Sequence, residues 1–246
     1  MKKKLVVTSL AIALIAIAVG GTLAYFMASD EATNTFTIGS VEIQQVEEQR
    51  VDQTKEFTTD NLEAFENDKQ LIPVISNTTP TDDPNFQDKY VTVDNIGKNA
   101  AYVQTFVAVP EALIDSGVLY IQAGSQGGWA APVDVATVEE SAIVEGSTST
   151  VKYAVYKYIY SSALAKETST TPVIEGVYIS QDADMDVTYD ANGVATSAQF
   201  TMNGAAVAGF DATQKVNVYV VSQAIQADGF TDATTALANF GTHPWE

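Results

Sequence analysis

The side chains that could do chemistry are few, and their spacing is poor for it. His243 is the sole histidine of the 246-residue chain, and there is no cysteine. A histidine-based zinc site needs a second imidazole at helical spacing, as in HExxH, and none exists. A Ser-His-Asp triad would have to recruit His243 from the end of the chain, without a GxSxG turn to present the serine. Phosphate-cradling glycine loops of the Walker A or GxGxxG type are also missing. One run has metal-ligand spacing, Asp182, Asp184 and Asp186 in QDADMDVTYD, which resembles the start of a calcium loop. Val187 stands where such a loop needs glycine and Gly193 where it needs glutamate, and alternating acids equally describe a solvated strand face. Asp82 and Asp83 fit turn chemistry before Pro84. The expectation is a protein that is not an enzyme and has no cofactor, with Asp182, Asp184 and Asp186 as a weak calcium candidate.

Charge excludes further classes. Twelve basic residues face 31 acidic ones, for a net charge of −19, and no basic patch is present to hold a phosphate backbone. The expected partners therefore include no nucleic acid. Lys2, Lys3 and Lys4, the apolar run Leu10 to Val19, and Gly20-Gly21-Thr22-Leu23-Ala24 form a secretory signal, with cleavage expected between Ala24 and Tyr25. The apolar stretch falls short of the ~20 residues that span a bilayer. Contact with the membrane is expected only through this signal before cleavage, and the signal peptidase is a partner during export.

Beyond residue 24 the chain changes to short β-branched and aromatic runs punctuated by Gly, Asn, Asp and Pro, the pattern of an all-β antiparallel sandwich with short helices in the connections. Thr35–Ile43, containing FTIGSVEI, alternates through Phe36 and Ile38, then shifts at Gly39 to Val41 and Ile43, as a bulged strand does. Tyr90 to Asp94 and Ala101 to Val109 are expected to pair as a hairpin through NIGKN. Asn192-Gly193 and Asn203-Gly204 mark two more reversals, and Lys215 to Gln226 a late strand. STSTVKYAVYKYIY, Ser147 to Tyr160, has bulk on both faces and reads as a central strand. Helices are expected at EALID and at Asp232 to Phe240, and long surface loops at Glu47 to Lys69 and Ser76 to Asp88. The expected organisation is a signal at 1–24, an N-terminal strand at 25–45 and one sandwich domain at 46–246.

GGTLAYFMASDEATNTFTIGSVEI, residues 20–43, resembles the TasA and camelysin-type exported proteins that a dedicated signal peptidase matures. The match lies in the twin glycines, the Thr22-Leu23-Ala24 site, Tyr25 and Phe26, Asp30, Ala32 and the FTIGSVEI strand. YVTVDNIGKNAAYVQTFVAVPE and AIQADGF are similar to later parts of the same family. The resemblance implies a secreted jelly-roll subunit of a bacterial cell surface or biofilm matrix. It further implies that copies polymerise into fibres, each donating an N-terminal strand to the next. The metalloprotease activity attached to the camelysin name is not carried over, because the histidines are absent. On this reading the principal partner is the chain itself, and Phe36, Ile38, Val41 and Ile43 are the donor-strand residues. Their burial at roughly 1.5–3 kcal/mol each would supply about 6–12 kcal/mol before association costs. A monomeric surface module binding polysaccharide or protein through its tyrosines and Trp129 is the alternative.

Overall fold

A computed structural model describes residues 27–31, 41–67, 69–192, 195–212 and 214–246. The all-β expectation holds. A five-stranded antiparallel sheet has the order β1-β14-β5-β8-β7, built from β1 (Met27–Glu31), β5 (Ala101–Pro110), β7 (Val133–Glu139), β8 (Lys152–Ile159) and β14 (Tyr219–Gln226). A second sheet has the path β3-β2-β4-β10-β6, from β2 (Ile43–Arg50), β3 (Leu62–Ala64), β4 (Gln87–Asn95), β6 (Leu119–Ala123) and β10 (Ile174–Ile179), with β9 (Thr168–Ser169) also on β4. A third, smaller sheet is formed by β11 (Ala183–Tyr189), β12 (Ala195–Met202) and β13 (Ala205–Ala206).

The main core lies between the two large sheets. Val107, Val109, Tyr158 and Val220 of the first meet Val91, Leu119, Ile174 and Val177 of the second, and Phe210 and Val207 close one end. β8 buries both its faces: Tyr158 points into this core, while Tyr153 and Val155 pack outward with Phe106, Val221 and Trp245. α1 (Glu111–Asp115) buries Leu113 in the main core, and the far side of the first sheet is covered by the C-terminal segment and by two short helices, α2 (Glu140–Ile143) and α3 (Ala233–Leu237). The expected helices at EALID and after Asp232 are α1 and α3, the latter capped by Thr235 N–H donating to Asp232. The sequence reading did not anticipate α2.

Three expectations need correction. β4 and β5 do not form a hairpin, because NIGKN carries the chain from the second sheet to the first. Asn95 organises that crossing: its Nδ2 donates to the carbonyls of Asn99 and Leu164, and its Oδ1 accepts from Gly97 N–H. No residue of the link has the positive φ that a tight two-residue reversal requires. Asn203-Gly204, by contrast, has φ of 50° and 78° and does turn β12 back into β13. Glu47 to Arg50 belongs to β2 and not to a surface loop, since Glu47 and Arg50 are neutralised by partners far along the chain. The late strand is shorter than expected, beginning at Tyr219. The reversal at Asn192 joins β11 to β12, with Gly193 itself outside the described residues.

Candidate functional site

The N-terminal segment divides between the two sheets. β1 lies at the edge of the first sheet, antiparallel to β14, with Met27 opposite Ile225 and Glu31 opposite Val221. Residues 32–40 are outside the described set, and with them Phe36, Ile38 and the expected bulge at Gly39; so are residues 1–26, with the expected signal and the expected cleavage site at Ala24 and Tyr25. The chain is described again at Val41, and from Ile43 it runs as β2 beside β4, Ile43 opposite Asn95. Val41 and Ile43 are fully buried with Val93, Ala101, Val103, Leu164 and Ala224. Two of the four proposed donor residues therefore sit in the core of their own chain. The boundary drawn between Gln45 and Val46 falls inside β2.

β2 is fastened at both ends. Near its start the Gln45 side chain crosses the interior: its Nε2 donates to Val220 O at 3.1 Å, and its Oε1 accepts from Ser222 Oγ at 2.8 Å. Ser222 Oγ lies 2.9 Å from Thr105 Oγ1, which extends the link to β5. Val220 is the residue of β14 just past the one opposite Glu31, so Gln45 takes a backbone carbonyl that β1 leaves uncovered. At the other end, Arg50 and Asp88 form a buried ion pair, with side chains 4% and 1% exposed and Nη2 2.8 Å from Oδ1. The guanidinium also donates to the carbonyls of Lys55 and Thr81 and lies over the Phe57 ring. Sequence reading missed this pair because its members are 38 positions apart.

Beside β2 and β14 opens a groove of about 1600 Å³. Its walls include Phe65, Leu71, Ile72, Phe200, Val216 and Val218, and Val220 and Val221 of β14 border it. Its polar floor is Lys89, whose Nζ is 2.5 Å from Glu47 Oε2 and 4.4 Å from the centre of the Phe65 ring. Gln45 Nε2 donates to the other oxygen of Glu47 at 3.0 Å. Lys89 and Glu47 thus neutralise each other, and the same lining also carries Lys69, Glu145, Asp184 and Lys215. On the same strand, burial and then the nearby Asp94 push the Glu48 carboxyl up. Comparison with known proteins gives no matching family model, no matching curated protein and no matching solved structure.

The other candidate residues fall elsewhere. Asp184 and Asp186 lie on the exposed strand β11, opposite Thr201 and Gln199, with Asp182 just before it. Alternate positions on a strand are ~7 Å apart along one face, so the three acids form a row and do not converge on a point. Among the described residues no three potential ligands cluster. Trp129 is half-buried, donates from Nε1 to Thr171 O at 2.8 Å and meets Tyr160 edge-on, an anchored packing role. Glu140, Tyr153, Asn217 and Tyr219 form a further polar cluster, with Glu140 Oε1 accepting from the two hydroxyls and from Asn217 Nδ2. Burial pushes the Tyr219 hydroxyl up to about 12, reinforced by the Glu140 carboxylate it donates to. Every member of this cluster has a partner within the chain, so it ties α2 to β8 and β14.

Proposed function

We propose that this chain is a secreted structural subunit of a bacterial cell surface or biofilm matrix, polymerising by exchange of its N-terminal strand after cleavage between Ala24 and Tyr25. The jelly-roll strand order is part of this reading. The observation that carries it is the position of β1: a sheet-edge strand, beginning two positions after Tyr25, whose ladder among the described residues runs to β14 alone. Its connection to β2 runs through residues 32–40, long enough to reach a neighbour without disturbing Val41 and Ile43. Moving β1 from its own β14 to that of a second copy replaces each ladder bond by an identical one, so the exchange costs little once β1 is released. The adjoining groove could receive the chain on either side of the exchanged strand.

Because Val41 and Ile43 stay in their own core, the energy of assembly does not include them, and the Val46 boundary is the wrong place to cut. The test is electron microscopy of the chain beginning at Tyr25 beside one beginning at Ala32, which lacks β1 and keeps β2 whole. Fibres from the first and a folded, unpolymerised second are expected. Equal polymerisation by both would rule out β1 as the exchanged element.

A further inference from the structure

Residues 241–246 form a hook that is shaped from within. Thr242 N–H donates to Glu246 Oε1 at 2.9 Å, and Trp245 N–H donates to His243 Nδ1 at 3.2 Å. Gly241 leaves room for the first bond, since a Cβ there would stand 2.6 Å from Glu246 Oε2. Among the described residues, no hydrogen bond or ion pair joins residues 241–246 to any other part of the chain. What fastens the hook is the Trp245 side chain, 8% exposed and seated among Phe106 and Ala108 of β5, Tyr153 and Val155 of β8 and Val221 of β14. Both bonds that shape it end on acceptors that can take up a proton.

We propose that His243 is the trigger of an acid-opened latch, in which protonation of its imidazole frees Trp245 from the outer face of the first sheet. As an acceptor, Nδ1 must carry a lone pair, so the closed hook needs the neutral imidazole with its proton on Nε2. A protonated ring is a donor at both nitrogens, and the Trp245 N–H would then point at a cation. That N–H belongs to the backbone of Trp245 itself, so turning it away lifts the indole from its seat. The cation also competes with Thr242 for the adjacent Glu246 carboxylate, which loosens the second bond. Imidazole is the side chain that ordinarily changes charge between pH 5 and 8. The other titratable groups around the seat do not change charge there. Bonds from Thr242 hold the Glu246 carboxyl low. Against the cost of its burial, bonds from Tyr219, Ser149, Asn217 and Tyr153 hold the Glu140 carboxyl low, and burial pushes the Tyr153 and Tyr219 hydroxyls up. β7 brings only Val135, Ala136 and Val138 to the seat, and α2 adds Ile143. Opening the hook bares Val221, the residue opposite Glu31 in the β1 ladder, and one border of the groove. The latch depends on the C-terminal contacts alone and stands whether or not β1 is exchanged.

The test reads Trp245 by fluorescence. The chain has two tryptophans, and Trp129→Phe leaves Trp245 as the sole one. As the pH is lowered from 8 to 5, its emission is expected to shift to longer wavelength and its quenching by acrylamide to rise, with far-ultraviolet circular dichroism unchanged. The rise in quenching is expected equally with Trp129 in place, which keeps the test in force should the W129F protein not fold. Asparagine sets its Oδ1 where histidine has Nδ1, and it accepts an N–H two residues on without titrating. His243→Asn is therefore expected to keep Trp245 seated at both pH values, and His243→Ala to leave it exposed at both. Emission and quenching that do not change between pH 8 and 5 in the protein with His243, an acid shift that persists in H243N, or a seated Trp245 in H243A at pH 8 overturns the proposal.

Discussion

β1 and β2 are neighbours in sequence, separated by residues 32–40, yet they are held by different physics. β1 belongs to the first sheet and is attached along one side, through five paired positions on β14. β2 belongs to the second sheet and lies between β3 and β4, with Ile43 in the core, Gln45 bonded across the interior to Val220 and Ser222, and Arg50 locked to Asp88. An edge ladder opens locally, while a strand with buried side chains and a buried ion pair is released only with the whole domain. The contrast teaches where the N-terminal segment divides into a part that can be exchanged and a part that anchors it.

The comparison breaks most readily at the anchor. Asp88→Ala leaves the Arg50 guanidinium buried without its carboxylate, and a loss of about 3–5 kcal/mol in urea unfolding is expected. Ile43→Ala opens a cavity beside Val93 and Val103 and is expected to cost about 2–5 kcal/mol by the same measurement. Gln45→Leu strands Val220 O inside the sandwich and leaves the Ser222 hydroxyl with Thr105 as its remaining partner, at about 1–3 kcal/mol.

A smaller, pH-dependent effect sharpens the contrast from the other side. Burial pushes the Tyr158 hydroxyl from 10.0 up to about 12. Its contribution to stability is complete below pH 10, where the unfolded side chain is still protonated. It is lost progressively as pH rises toward 12, because only the unfolded state then releases the proton. Tyr158→Phe is expected to flatten this alkaline fall in stability, followed by circular dichroism. Met27–Glu31 contains no tyrosine, so the alkaline limb reports on the body of the sandwich alone.

What could be read in the sequence was whatever is decided locally. The alternation in β8, the Asp232 cap of α3 and the Asn203-Gly204 turn each depend on a few adjacent residues, and each is where it was expected. NIGKN misled because a hairpin and a crossing between sheets use the same small polar residues. The distinction lies in the contacts of Asn95 with Leu164, 69 positions away. Glu47 to Arg50 resembled a solvated loop because the neutralising Asp88 and Lys89 are some forty positions distant. The candidate site was legible as an N-terminal segment alternating over Thr35–Ile43, and its division between two sheets was not, because the sequence of β1, MASDE, carries no apolar alternation to mark it as a strand. Only tertiary pairing assigns Ile43 to β4 and Met27 to β14.

The most direct test of strand exchange is negative-stain electron microscopy of the chain beginning at Tyr25 and carrying S29C with Q223C, imaged oxidised and then reduced. Ser29 and Gln223 lie opposite each other across β1 and β14, so isolated particles while the disulfide holds β1 to its own β14, and fibres once it is reduced, are the predicted result. Fibres that grow equally well from the oxidised protein would contradict exchange of β1 as the basis of assembly.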